Sequence, residues 1–140
     1  MITQGVRTTV PCHACGGVLT LDIGQFIDRG RLWWDTSGSC QSCDTVWCEE
    51  DSGRVTPDAI RQALLARHGS ARLRLTEPEA SSAPILRALR EAHDVTLTQA
   101  KALADELKAT GLTGTLVEME LLADRLRQRS VMAAVEQPGC

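Results

Sequence analysis

Pro11-Cys12-His13-Ala14-Cys15-Gly16-Gly17 and, further along, Cys40-Gln41-Ser42-Cys43 decide how the front of this chain folds. Two thiolates separated by two residues bite one ion, because the tight turn after the first cysteine aims both sulfurs at one point. Gly16 follows the first pair, where backbone amides must turn toward sulfur and need a permissive φ. Two such pairs supply the four sulfur ligands of Cys12, Cys15, Cys40 and Cys43 for a closed, tetrahedral Zn²⁺ site. A site with four protein ligands leaves no open position for water, so the Zn²⁺ is expected to be structural. An iron centre shares the signature. Disulfides need an oxidising compartment. A redox Cys-x-x-Cys stands singly at a helix start, not as a spaced pair.

The composition changes after this region. Phe26, Trp33, Trp34 and Trp47 are the aromatic residues, and all of them lie in the first third. Five of the six cysteines lie there too, and the later apolar residues are Leu, Ala, Val, Ile and Met. Of the 15 basic and 18 acidic residues, Arg7, Arg29, Arg31 and Arg54 precede residue 57, against Asp22, Asp28, Asp35, Asp44, Glu49, Glu50 and Asp51. Two small units joined near Thr56 fit this split. A unit of about 55 residues is marginal without a staple, and coupling metal binding to folding provides one. The first unit has strand-like runs at Val18–Asp22, Arg31–Asp35 and Asp44–Glu49, with turns expected at Gly16-Gly17, Gly30, Ser37-Gly38 and Ser52-Gly53. This predicts a small antiparallel sheet. Cys48 is read as a buried apolar thiol, His13 as solvent-facing, and Cys140 as a free thiol near the end of the sequence. The tryptophans are expected to pack in a small core, and an exposed one would be a contact for a partner.

Thr56-Pro57-Asp58 starts a helix with a hydroxyl cap, a proline at the first helical position and an acid in the first turn. Ile60, Ala63, Leu64 and Arg67 follow at helical spacing, and Gly69 stops it. Ala71–Thr76 alternates as a strand. Pro84–His93 places Ile85, Leu86, Leu89 and Ala92 on one stripe. Thr96-x-x-Gln99 and Thr115-x-x-Glu118 are capping boxes. The first opens a helix to about Lys108 with Leu97, Ala100, Leu103 and Leu107 inward. The second opens one to about Arg129 with Met119, Leu122, Ala123 and Leu126 inward. Ser130 breaks the last helix, and Val131, Ala133 and Val135 alternate as a strand. The fold class is therefore α+β: a metal-stapled antiparallel sheet over 1–55, a connecting helix over 56–70 and a β-α-α-α-β domain over 71–137. In that domain the first and last strands are expected to pair.

Two resemblances follow. The motif from Pro11 to Gly17 with Cys40–Cys43 resembles a zinc ribbon, covering about residues 8–55. Ribbons bind nucleic acid or protein, or act as scaffolds. Arg29 and Arg31 beside Trp33 and Trp34 suit nucleic acid, whereas the seven acids and a four-thiolate zinc centre oppose phosphate. The run Ser81–Leu103, with Leu97-x-x-Ala100-Lys101-x-Leu103, resembles the C-terminal domain of the bacterial ribosomal stalk protein over about 71–136. That family recruits translational GTPases through apolar and positive side chains of its first two helices. The resemblance places Arg87, Arg90 and Lys101 on the family's basic positions, and Ile85, Leu86 and Leu97 on its apolar ones. Ser82 stands where the family usually has Lys, and Asp94 and Thr96 replace glycines of its turn. Read without the resemblance, Arg87 and Arg90 form a solvated face, and Ile85 and Leu97 belong to the core. His93 and His68 are read as satisfying carbonyls at helix ends. Arg61, Arg67, Arg72 and Arg74 could form a basic patch near Asp58, Glu77 and Glu79.

The function expected is that of a non-catalytic, zinc-binding adaptor, with a protein partner such as a translation-related GTPase or another enzyme. Alternatives are a nucleic-acid- or ribosome-associated regulator of translation or transcription, and an inhibitor or immunity-type protein. No phosphate loop, nucleophile elbow or His-Glu-x-x-His motif points to an enzyme. No apolar run approaches the roughly 20 residues of a membrane span, and Met1–Pro11 lacks the apolar core of a signal peptide. A cytoplasmic protein is expected.

Overall fold

The computed structural model describes residues 2–77 and 79–137, so Cys140 lies outside the described residues. The chain forms two compact units that divide between Arg67 and His68. The architecture is mixed α+β: an antiparallel sheet first, then helices with a second, smaller sheet. Among the described residues no helix is long and apolar enough to cross a membrane.

The first unit is a four-stranded meander of β1 (Thr3–Pro11), β2 (Val18–Asp28), β3 (Arg31–Cys40) and β4 (Val46–Ser52), in the order β1-β2-β3-β4. All neighbours are antiparallel. β2 and β3 are joined by Arg29-Gly30, with φ of 52° and 72°. Positive φ at both central residues is the type I′ turn whose twist matches the flanking strands. The other two connections, after Pro11 and after β3, carry the cysteine pairs, so both lie at the sheet end opposite this turn.

Three expectations change here. β1 was not foreseen as a strand, because Thr3–Pro11 carries Gly5 and little apolar alternation. Ser37-Gly38 is not a turn but the interior of β3, where Gly38 pairs with Trp47. A Cβ at Gly38 would lie 2.6 Å from the Trp47 ring, so the glycine admits the indole across the strands. Cys48 is exposed rather than buried. It alternates with Trp47 on an edge strand, and the indole takes the covered face. Cys48 instead borders a groove of about 660 Å³ with Arg7, Asp22 and Asp35. The tryptophans do pack: Trp34 is 9% exposed, and Trp33 stacks on Phe26 with centroids 6.3 Å apart. None of the three is exposed, which removes an exposed Trp as a partner contact.

α1 (Asp58–His68) follows, with Leu64 buried on it. The Thr56 hydroxyl accepts a 2.8 Å hydrogen bond from Gln25 Nε2, and both residues are buried. The residue read as a helix cap thus ties the segment before α1 to β2, and it accepts from a buried amide, a group that needs a hydrogen-bond partner.

The second unit contains β5 (Ala71–Leu75), α2 (Ser82–Ala92), α3 (Leu97–Ala109), β6 (Leu112–Gly114), α4 (Leu116–Gln128) and β7 (Ala133–Glu136). β5 pairs with β7, as the alternation predicts, and also with β6 in the order β6-β5-β7. The extra strand between α3 and α4 corrects the β-α-α-α-β order to β-α-α-β-α-β. Both capping boxes form: the Thr96 hydroxyl accepts from Gln99 N–H, and the Thr115 hydroxyl from Glu118 N–H, each at 3.2 Å. Each side-chain carbonyl or carboxylate returns the bond at 2.9 Å. The core is continuous and aliphatic, with Leu73, Ile85, Leu89, Leu122 and Leu126 fully buried.

Leu97 departs from the inward stripe: it is 46% exposed. It is the first residue of α3, at the edge of the stripe whose buried members are Ala100, Ala104 and Leu107. Ile85 is core, as read. Arg72 and Arg74 are engaged locally, by the Thr110 carbonyl at 2.6 Å and by Glu136 at 3.3 Å. Arg129 pairs with Glu91.

Candidate metal centre

The two cysteine loops are built alike. In the first, Cys12 N–H donates to the Gly17 carbonyl at 2.7 Å; in the second, Cys40 N–H donates to the Thr45 carbonyl at 2.9 Å. Each bond closes a loop of the same length and turns its backbone amides inward. Gly17 N–H then donates to Cys15 Sγ and Ser42 N–H to Cys40 Sγ, both at 3.3 Å. The loops touch: a Cβ on Gly17 would lie 2.7 Å from Ser42 Oγ and 3.2 Å from Cys15 Sγ. Only a glycine permits this approach.

The sulfurs of Cys12, Cys15, Cys40 and Cys43 all lie within 4.8 Å of one another. Cys12 and Cys43 are 3.9 Å apart and Cys15 and Cys40 3.5 Å apart. These contacts run between the loops, and the described cysteines form no disulfide. Tetrahedral Zn–S bonds of about 2.3 Å set neighbouring sulfurs about 3.8 Å apart, so the four residues are placed to hold a metal ion and their spacing suits zinc. Cys12 and Cys40 are buried and Cys15 is exposed. Leu19 is the buried apolar neighbour, with Leu21 packed beside it.

The thiols respond differently to their surroundings. The amides of Cys15 and Ala14 lower the Cys12 pKa. The Thr45 hydroxyl, 3.1 Å from Cys43 Sγ, and then the Thr45 amide bring Cys43 down to about 6. At Cys15 the Gly17 amide pulls downward, but the crowded sulfurs of Cys40 and Cys43 outweigh it and push the thiol up to about 12. The metal-free cluster therefore keeps protons where a cation would otherwise balance the charge. Thr45 was missed in the sequence. The available signal was a hydroxyl residue two positions after a ligand, where it reaches back to sulfur and orients it. His13 is exposed between two ligands.

The remaining expected site residues lie in the second unit. Arg87 and Arg90 stand one turn apart on α2, on the face opposite Ile85, Ala88 and Leu89, and both are exposed. Lys101 is exposed on α3, one turn beyond Leu97. α2 and α3 pack on each other. Leu86 is partly buried against the core.

Fold and site together define a two-unit α+β protein that opens with a zinc-ribbon-like sheet and a four-cysteine centre placed to bind metal. No family model, curated protein or solved structure matches the chain.

Proposed function

We propose that the protein is a non-catalytic adaptor in which a structural Zn²⁺ ion holds the first unit and the second unit binds a protein partner through α2 and α3. The observation that carries the partner face is Leu97. A large apolar side chain, 46% exposed, stands one turn from Lys101, on a helix packed beside the one that carries Arg87 and Arg90. An exposed apolar side chain on a pair of helices that also carries exposed cations suits an acidic protein surface. The likeness to the ribosomal stalk domain favours a translational GTPase or another enzyme as that partner. For the metal, four thiolates at tetrahedral spacing favour zinc and leave no open vertex for catalysis.

The test is capture from a lysate of the source cell, with mass spectrometry and metal analysis of the same sample. The wild-type chain is expected to carry one zinc and to retain a specific acidic-surfaced protein. A chain with Arg87→Glu, Arg90→Glu and Leu97→Ser is expected to lose that protein while keeping its metal and its helical signal. Equal capture by both chains overturns the partner face. Retention on nucleic acid that falls steeply with salt replaces the adaptor reading with that of a nucleic-acid regulator.

A further inference from the structure

The two faces of the four-stranded sheet differ. One carries Leu19, Gln25, Leu32 and Trp34, all buried. On the other, the face that Asp22 and its register partners share, no residue is buried. This open face holds the groove of about 660 Å³, and two adjacent rows of residues cross it. In the first row Arg7 stands opposite Asp22 and forms an ion pair with it at 2.8 Å. In the second, Gly5, Gly24, Asp35 and Glu50 follow one another across the four strands. A Cβ at Gly24 would collide with Asp35 Oδ1. The Asp35 carboxylate therefore leans over Gly24 into the groove, with Glu50 as its cross-strand neighbour. Like charges directly opposite each other destabilise a sheet. Among the described residues no cation or hydrogen-bond donor meets either carboxylate. Arg7, the one cation among the described lining residues, is engaged by Asp22.

We infer that this open face docks an extended basic segment of a partner protein, with an arginine side chain seated over Gly24 against Asp35 and Glu50. The missing charge on the face is positive, and the guanidinium plane suits it twice. Its fork of donors matches carboxylate oxygens, and its flat face stacks on aromatic rings. Phe26 and Trp33, stacked on each other, form the next row of the same face beyond Gly24 and Asp35. A metal ion is not the occupant, because the described residues bring no third ligand to the carboxylate pair. A free small cation is held poorly. Sites for small ligands enclose most of the ligand surface, whereas Arg7 and Asp22 in the groove are 73% and 51% exposed and Cys48 and Glu50 are exposed too. Nucleic acid is repelled, since its phosphates meet the same carboxylates. A longer chain meets these conditions: one side chain enters the groove, and its neighbours run on toward β4, where Glu49 and Asp51 flank Glu50. The face is opposite in sign to the surface of α2 and α3 and does not depend on it.

The test uses the full chain loaded with zinc and two short labelled peptides, one alternating arginine with serine and one with citrulline in place of arginine. Fluorescence anisotropy is expected to show saturable binding of the arginine peptide that weakens with salt, and no binding of the citrulline peptide. Asp35→Asn combined with Glu50→Gln is expected to weaken binding by about tenfold or more. The same variant is expected to raise the urea midpoint of the first unit, because the opposed charges are gone. A merely structural role for the two acids would move stability and binding in the same direction. Asp105→Asn combined with Glu106→Gln removes equal charge from exposed positions of α3 and is expected to bind as the wild type does. So is Arg87→Glu combined with Arg90→Glu, which separates this face from that of α2 and α3. A wild-type chain that leaves the arginine peptide unbound at high micromolar concentration overturns the proposal. So does equal binding by the Asp35 and Glu50 variant, or an equal loss in the α3 variant, which would reduce the effect to net charge. Free arginine amide held as tightly as the peptide overturns the extended partner.

Discussion

Cys12→Ser removes a sulfur that is 2% exposed and 3.9 Å from Cys43 Sγ. What remains to hold the loop end of the sheet can be weighed. The buried cluster there consists of Cys12, Leu19 and Cys40, so Leu19 is its one buried member that is not a ligand. Burying a leucine contributes about 1.5–3 kcal/mol. A structural zinc contributes about 10–16 kcal/mol in small domains, several times as much and comparable with the whole stability of a typical domain. A serine hydroxyl is a poor replacement for thiolate, so the variant should lose the metal, and the loops from Cys12 to Gly17 and from Cys40 to Thr45 should lose their fixed backbone. The second unit has its own aliphatic core, with Leu73, Ile85, Leu122 and Leu126 fully buried, and provides an internal control. Metal content by atomic emission together with amide NMR spectra reads both. The expected result is less than one zinc per chain, collapsed dispersion for residues of the sheet and unchanged signals for α2 to α4. A variant with one tightly held metal and an unaltered melting curve would falsify the metal staple.

Other perturbations probe single links of the same chain. Arg29 sits at φ 52° in the β2–β3 turn, where asparagine is better tolerated; Arg29→Asn should stabilise the sheet by about 0.5–1 kcal/mol, seen as a higher urea midpoint. Thr115→Ala removes the hydroxyl that accepts from Glu118 N–H and should cost about 1 kcal/mol, lowering the melting temperature of the second unit and leaving the metal content of the first unit unchanged. Zinc binding should release protons, because Cys15 holds its proton up to about 12 in the metal-free cluster. Lowering the pH through about 6 also protonates Cys43, so more protons leave per metal bound and affinity falls more steeply on the acid side. Calorimetry in buffers of different ionisation enthalpy measures this, and a buffer-independent heat would exclude thiolate ligation.

The features that local chemistry writes were legible in the sequence: the cysteine spacing, both capping boxes and the breaks at Gly69 and Ser130. Each depends on residues within a few positions of one another. The misses depend on partners distant in the chain. β6 is three residues long and is a strand because β5 lies beside it, which nothing in Leu112–Gly114 announces. Gly38 looks like a turn residue until Trp47 is seen lying across it. Alternation showed that Trp47 and Cys48 face opposite ways but not which way was covered, and the assignment of Cys48 to the interior failed on that choice. Leu97 had the right period for the core, yet its place in the first turn of α3 left it exposed.

The Arg29-Gly30 turn and the metal loops lie at opposite ends of the sheet. The central hairpin is local in sequence and is expected to zip early, whereas an ion held by the four cysteines would join segments far apart in the chain and engage only after both loops have met. Contacts made after the rate-limiting step act on the escape from the native state. Zinc is therefore expected to leave the folding limb of the chevron of the first unit nearly unmoved and to slow the unfolding limb, so that persistence would come from the ion and speed of assembly from a two-residue bend.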